Sequence, residues 1–300
     1  AAAAVFGLLM PLSLRAACLG ELHDDEVRQE IVGQCGGASL GGVAPHVVAA
    51  MLDPLDTASV ADALGDMSAS DAASVLVGML RGIGGEGNAG GGGGGGAMSA
   101  AARVAAVLMA MDVCAAASTA ACMPPAAAAV CFDAAPTAAA AAIADKTRDV
   151  VALGKIVALM DTRAAGMMLD LCARSRNARV LCALVPATAG AVAAAMNAKV
   201  LAVALCAMHA RDAALVLAAI DPATAGSVLR RVASLAPATV AAILVHLDEG
   251  TAGRILTFMP ADAAGAVVGA LASMSAPGLA ADVPSAPTPF QAAQAAAVLR

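Results

Sequence analysis

The chain has almost no aromatic residues. Of 300 residues four are Phe, and there is no Trp and no Tyr. A large aromatic core is excluded, and so is a binding face built on the usual aromatic anchors. Charge is also scarce: 13% of residues are charged and the formal net charge is −6. A phosphate backbone needs a basic stripe, so nucleic acid is not an expected partner. Arg174, Arg176 and Arg179 form the one notable basic cluster, read as a solvated helix end. The eight cysteines contain no C-x-x-C and no paired metal spacing. They read as small buried thiols of a reducing compartment, cytoplasmic or another intracellular one, rather than a disulfide framework.

Zinc-protease and nucleotide-binding motifs are missing too. There is no H-E-x-x-H and no Walker sequence. The four histidines are His23, His46, His209 and His246. His23-Asp24-Asp25-Glu26 has a faint metal look but reads better as a helix N-terminus. The Gly-rich run Gly82–Gly96 lacks a following Lys-Ser/Thr. It reads as a flexible linker spanning about 20 Å, not a phosphate loop. The best candidate for a membrane span, the uncharged run Val180–Ala198, contains Pro186, Gly190 and Asn197. It is a poor insertion sequence, so no transmembrane segment is expected. Residues 1–14 have the apolar character of a signal-peptide core without a preceding basic residue. An ordinary apolar helix or ragged terminus is expected there, with a targeting remnant as the alternative. The chain begins at Ala1 and not Met, as a fragment of a longer protein would.

What is present is alanine, the best helix former, arranged in a repeat. Twelve-residue units start at Asp149, Asp161, Ala173, Val185, Asn197, His209, Asp221, Ala236, Asp248 and Pro260, with one step of fifteen after Asp221. Position eight of each unit is apolar (Ile156, Met168, Val180, Val192 and onward), and so is position nine (Val157, Leu169, Leu181, Ala193). Position twelve reads Met160, Cys172, Leu184, Met196, Met208, Ile220, Val232, Leu247, Met259, Leu271. Position five is usually small and apolar, and position six is Gly or Ala in all ten units. Positions five, eight, nine and twelve are i, i+3, i+4 and i+7, one face of an α-helix. Each unit is therefore a helix of roughly ten residues, about 15 Å long. A helix that short is marginal alone. It must lean its stripe on neighbours, with position six letting backbones approach.

The fold expected is all-α: a right-handed superhelical solenoid of short tandem helices, about twelve residues per unit. Start signals recur in the first positions, as in Asp221-Pro222 and Asp248-Glu249. The segment 47–81 carries the same pattern. Asp53–Met67 reads as a fifteen-residue unit parallel to Asp221–Leu235, and Ser68–Met79 as a twelve-residue one. Ala97–Met123 returns to helical register through Val104, Val107, Leu108 and Met111. Pro124–Ala142 is nearly featureless alanine, open as helix or linker. The expected organisation is a partly helical segment 1–46, a first repeat segment 47–81, the linker 82–96, an Ala-rich helical segment 97–148, the main array 149–274, and a Pro-rich tail 275–300 ending in a short helix.

The stretch LDEGTAGRILTFMPADAAGAVVGAL (247–271), with IDPATAGSVLRRV (220–232) and LDPLDTASVADAL (52–64), resembles the intracellular N-terminal helical domain of MgtE-type magnesium transporters. The middle domain of the flagellar motor switch protein has related short-helix units. The resemblance covers 149–274 and, more loosely, 47–80. It implies a helical-repeat scaffold or protein-interaction module without enzymatic activity, displaying its surface to a protein partner. The alternative it implies is a magnesium-sensing regulatory domain, with Asp221, Asp248, Glu249 and Asp262 at turns where weak magnesium binding would fall. Asp161 sits at a matching turn. No other cofactor is implied. The strand–helix pattern of CBS domains and the family's five hydrophobic spans are not found in the chain.

Overall fold

The computed structural model describes residues 40, 43–53, 55–82 and 99–274. His23–Glu26, the Gly-rich run beyond Gly82, the Pro-rich tail and its expected last helix lie outside them. The described residues form seventeen α-helices and no strand. In chain order these are α1 (Pro45–Leu52), α2 (Thr57–Gly65), α3 (Ala69–Gly82), α4 (Ala100–Ala110), α5 (Val113–Cys122), α6 (Pro125–Ala134), α7 (Thr137–Lys146) and α8 (Val150–Val157). There follow α9 (Thr162–Leu171), α10 (Arg174–Ala183), α11 (Pro186–Ala195), α12 (Ala198–Cys206), α13 (Ala210–Ala218), α14 (Pro222–Leu235), α15 (Pro237–Val245), α16 (Glu249–Thr257) and α17 (Ala261–Met274). Two compact units divide between Met160 and Asp161.

Within each unit a helix packs against the next but one. In the first, α1, α3, α5 and α7 form one row, and α2, α4, α6 and α8 another. In the second, α9, α11, α13, α15 and α17 form one row and α10, α12, α14 and α16 the other. Two layers thus share the apolar seam that the short helices supply. Ile243, Leu244 and Leu247 are all buried there, as are Leu181, Leu201 and Val228. Each such side chain contributes about 1.5–3 kcal/mol of transfer free energy, and the many buried alanines much less.

The local chemistry that ends one helix and starts the next is repetitive. Cys172 after α9 and Met196 after α11 are extended. Each sends its side chain into the seam while the backbone turns. Asp161 at the head of α9 accepts from Arg163 N and Ala164 N at 3.0 Å each. Asp112 caps α5 and Asp149 caps α8 in the same way. Pro125, Pro186, Pro222 and Pro237 each open a helix, where a missing N–H costs nothing.

Position six does what its size suggests. A Cβ built on Gly166 would lie 2.8 Å from Ala195 Cβ, and one on Gly190 only 2.4 Å from Ala219 Cβ. On Gly226 it would lie 2.8 Å from Phe258 Cβ. The rule is constant: position six of a helix meets position eleven of the helix two further on. Gly253 and Gly265, in α16 and α17, face no described atom within 4 Å.

The structure changes two local readings and fills a third. The helix expected to start at Asp53 starts at Thr57, capped by Asp56, which accepts from Ala58 N and Ser59 N. Asp53 instead closes α1. The aligned unit is therefore Asp56–Met67, twelve residues long, and the pairing of Asp53 with Asp221 does not hold. Burial of Val60, Ala61, Ala63 and Leu64 fixes that register. Secondly, the cysteines are not uniformly buried: Cys131 and Cys172 are, but Cys114, Cys122 and Cys182 are exposed. Those three fall on outward positions of their helices. Thirdly, Pro124–Ala142 is mostly helical, as α6 and the first part of α7 joined by the turn Ala135-Pro136. The array also continues past the Gly-rich run. α4 packs on α2 and α3, and the Arg103 guanidinium donates to the Asp53 carboxylate (2.6 Å), the Asp53 carbonyl and the Leu55 carbonyl (3.3 Å).

Candidate functional site

The residues singled out for magnesium sit at helix starts in the second unit. Asp221 caps α14, accepting from Thr224 N at 2.9 Å, and Asp248 caps α16, accepting from Thr251 N at 2.9 Å. Glu249 and Asp262 occupy the first turns of α16 and α17. Hydrogen bonds from the hydroxyl and amide of Thr224 hold the Asp221 carboxyl below its ordinary range. Thr251 does the same for Asp248, helped by Arg254. Both shifts have a local helix-capping cause. Among the described residues no three His, Cys, Asp or Glu side chains gather as a metal-binding group.

His209 heads α13 without a side-chain capping bond, and His246 closes α15; both are exposed. Burial pushes the Cys131 thiol up to about 12. Burial and the facing Asp212 raise Cys182, whose Sγ lies 3.9 Å from Asp212 Oδ2. Burial raises Cys206. A reactive thiol needs the opposite shift.

Sequence reasoning missed two polar features of the second unit. Asn177, in a position otherwise held by small or apolar residues, is fully buried, and its Nδ2 donates to the Leu169 carbonyl at 2.8 Å while Oδ1 has no partner. Asp170 near the end of α9 accepts from Asn197 N at 2.8 and 3.0 Å, tying that helix to the head of α12. Burial raises its carboxyl. Neither residue carries a sequence motif. Both are bracing contacts between units of the array.

The second feature of the surface is repetition. Positions three, seven, ten and eleven point away from the seam in helix after helix. Large apolar side chains stand exposed on them, including Met167 (45%), Leu171 (58%), Leu215 (47%) and Phe258 (55%). Among the described residues no helix is long and apolar enough to cross a membrane. The architecture is that of a helical-repeat scaffold.

Comparison with protein families, with characterised proteins and with solved structures finds no match. The resemblance to the MgtE intracellular domain therefore rests on the repeated phrase alone.

Proposed function

We propose that the chain is a non-enzymatic helical-repeat scaffold that presents its outward positions to a protein partner. The observation that supports this is the tandem arrangement itself. Helices of one layer repeat the same outward positions at a constant step, which makes a continuous surface of the kind repeat proteins use for binding. A magnesium-sensing role, the reading implied by the MgtE resemblance, has less support, because Asp221 and Asp248 already hold helix N-termini.

The test uses a photo-crosslinking residue at Leu215 or at Arg231, two outward positions on different layers. The scaffold reading expects saturable capture of one defined polypeptide, competed by excess unlabelled chain. No competable adduct from either position would overturn it. Millimolar magnesium is expected to leave the thermal midpoint unchanged. A rise of several degrees, abolished by Asp248→Asn, would favour the regulatory reading.

A further inference from the structure

The described part of the second unit ends on an open face. In α9 to α15 positions six and nine of every helix are buried, from Gly166 and Leu169 to Ala241 and Leu244. In α16 and α17 the same positions lie open: Gly253 and Gly265 are exposed, and Leu256 and Val268 are only half-buried. At Gly166, Gly190 and Gly226 position six is covered by position eleven of the helix two further on. The first unit keeps the same pairing, where a Cβ built on Gly78 of α3 would lie 3.2 Å from Ala49 Cβ of α1. By that rule Gly253 and Leu256 form the surface on which a helix after α17 packs.

The sequence carries a matching unit. In TPFQAAQAAAVLR (288–300), Thr288 and Pro289 take positions one and two, the start that recurs at Val185-Pro186 and Asp221-Pro222. Positions five, six, eight and nine are then alanine, position eleven is Val298 and position twelve is Leu299. An alanine stripe is enough for this array: α5 buries Ala116, Ala117, Thr119 and Ala120 at those positions. The register is not free. Pro277, Pro284 or Pro287, placed at position two, would each put a further Pro inside the helix. The outward position seven is Gln294, and alanine leaves little apolar area to be covered in turn.

We propose that residues 288–300 fold back on α16 as a further unit and cap the open face of the second unit. The inference goes beyond the scaffold reading and needs only the tandem arrangement. Thirteen residues, 275–287, separate the segment from α17. They reach about 40 Å when extended, against about 8–10 Å between packed helices, so the tether allows the return. Position six does not have to be Gly for this packing, since Ala202 and Ala214 occupy it in α12 and α13. A methyl added at Gly253 is therefore compatible with the cap, because the tether lets the segment settle around it. A second copy of the chain fits less well as the occupant. A tethered segment acts at about millimolar effective concentration, which a second copy reaches only in concentrated solution.

The experiment uses the full chain. Benzoylphenylalanine replaces Val298 at position eleven, where the array already holds Phe258 in α16. An equal mixture of unlabelled and nitrogen-15-labelled protein is irradiated, and adducts are mapped by mass spectrometry. The expected result is a crosslink to α16 within one chain. Amide exchange supplies a second readout. Leu299→Asp should speed exchange in α16 at least tenfold, while Gln294→Asp should leave it within twofold. Both substitutions lie outside the described residues, and circular dichroism should confirm that both variants fold. Adducts at α16 that join labelled to unlabelled chains would give the face to a second copy and overturn the proposal. Adducts only on other helices, no adduct at all, or unchanged exchange in Leu299→Asp would overturn it as well. None of these outcomes bears on capture of a partner at Leu215, so the scaffold reading stands or falls separately.

Discussion

Substituting Gly→Ala at position six should change sign along the array. At Gly190 the new methyl would meet Ala219 Cβ at 2.4 Å and the Ala219 backbone carbon and oxygen at 2.9 Å. Backbone atoms cannot rotate away, so α13 must shift from α11, and its partners with it. Overpacking of this kind costs about 1–3 kcal/mol, and a backbone clash belongs at the upper end. Alanine returns about 1 kcal/mol through its better helix propensity. The net expectation is a loss of about 1–2 kcal/mol for Gly190→Ala. At Gly253 the helix is equally regular, yet no described atom lies within 4 Å. Only the propensity term remains, and Gly253→Ala should stabilise by about 0.5–1 kcal/mol. Urea unfolding followed by circular dichroism reads both, as shifts in midpoint at constant slope. Thermal midpoints should move in opposite directions by several degrees. If Gly190→Ala stabilises as much as Gly253→Ala, the close approach of alternate helices is wrong.

Three further outcomes are expected. Arg103→Met should destabilise the first unit by about 1–2 kcal/mol, since it removes one partly exposed ion pair and the guanidinium bonds to two carbonyls; chemical unfolding measures it, and a neutral result would contradict the bracing role. Asp56, Asp221 and Asp248 all have carboxyls held below their ordinary range. The stability they contribute is present above their unfolded pKa near 3.8 and is lost as pH falls through the lower folded values. Stability should therefore drop on acidification below about pH 4, less steeply in Asp221→Asn, which keeps a capping oxygen but cannot titrate; equal slopes in the two proteins would refute that assignment. Within the first unit, the buried faces of α5 and α7 are alanine with one Thr and one Ile, whereas α1 buries Val48, Met51 and Leu52. Less apolar area holds α5 and α7, so their amides should exchange faster than those of α8, which buries Leu153, Ile156 and Val157; uniform protection across these helices would show that alanine packing compensates.

Much of the architecture was legible from 149–274 because Leu, Ile, Val and Met contrast with Ala at fixed positions. The buried sets of α8 to α15 fall on positions five, six, eight and nine, with Val232 and Ala233 added in the longer α14. The contrast vanishes in α5 to α7, where alanine stands both inside and out. The signals left there were quieter: Met111 and Met123 are twelve apart, as are Pro124 and Pro136, with a step of thirteen from Pro136 to Asp149. Near Asp53 a strong local signal misled. Asp-Pro imitates a helix start, but the start that buries Val60 and Leu64 lies three residues on, at Asp56. Tertiary burial outweighed the local cap. The alternation of layers could not be read from periodicity, because a stripe says that a helix packs and not on which neighbour. The grouping of seven cations on α10, α12, α14 and α16 follows from that alternation, so in sequence they looked scattered apart from the Arg174–Arg179 cluster. No catalytic or metal constellation was legible, and the acids suggested by the resemblance to a magnesium transporter domain fall at helix starts.

The most direct test of the tandem account is deletion in register. Removing residues 185–208 takes out two whole units, α11 and α12, one from each layer. The account predicts a chain that keeps its helicity per residue and a cooperative melt, while removing residues 185–202, one and a half units, abolishes both in the second compact unit. Equal behaviour of the two deletions would contradict it.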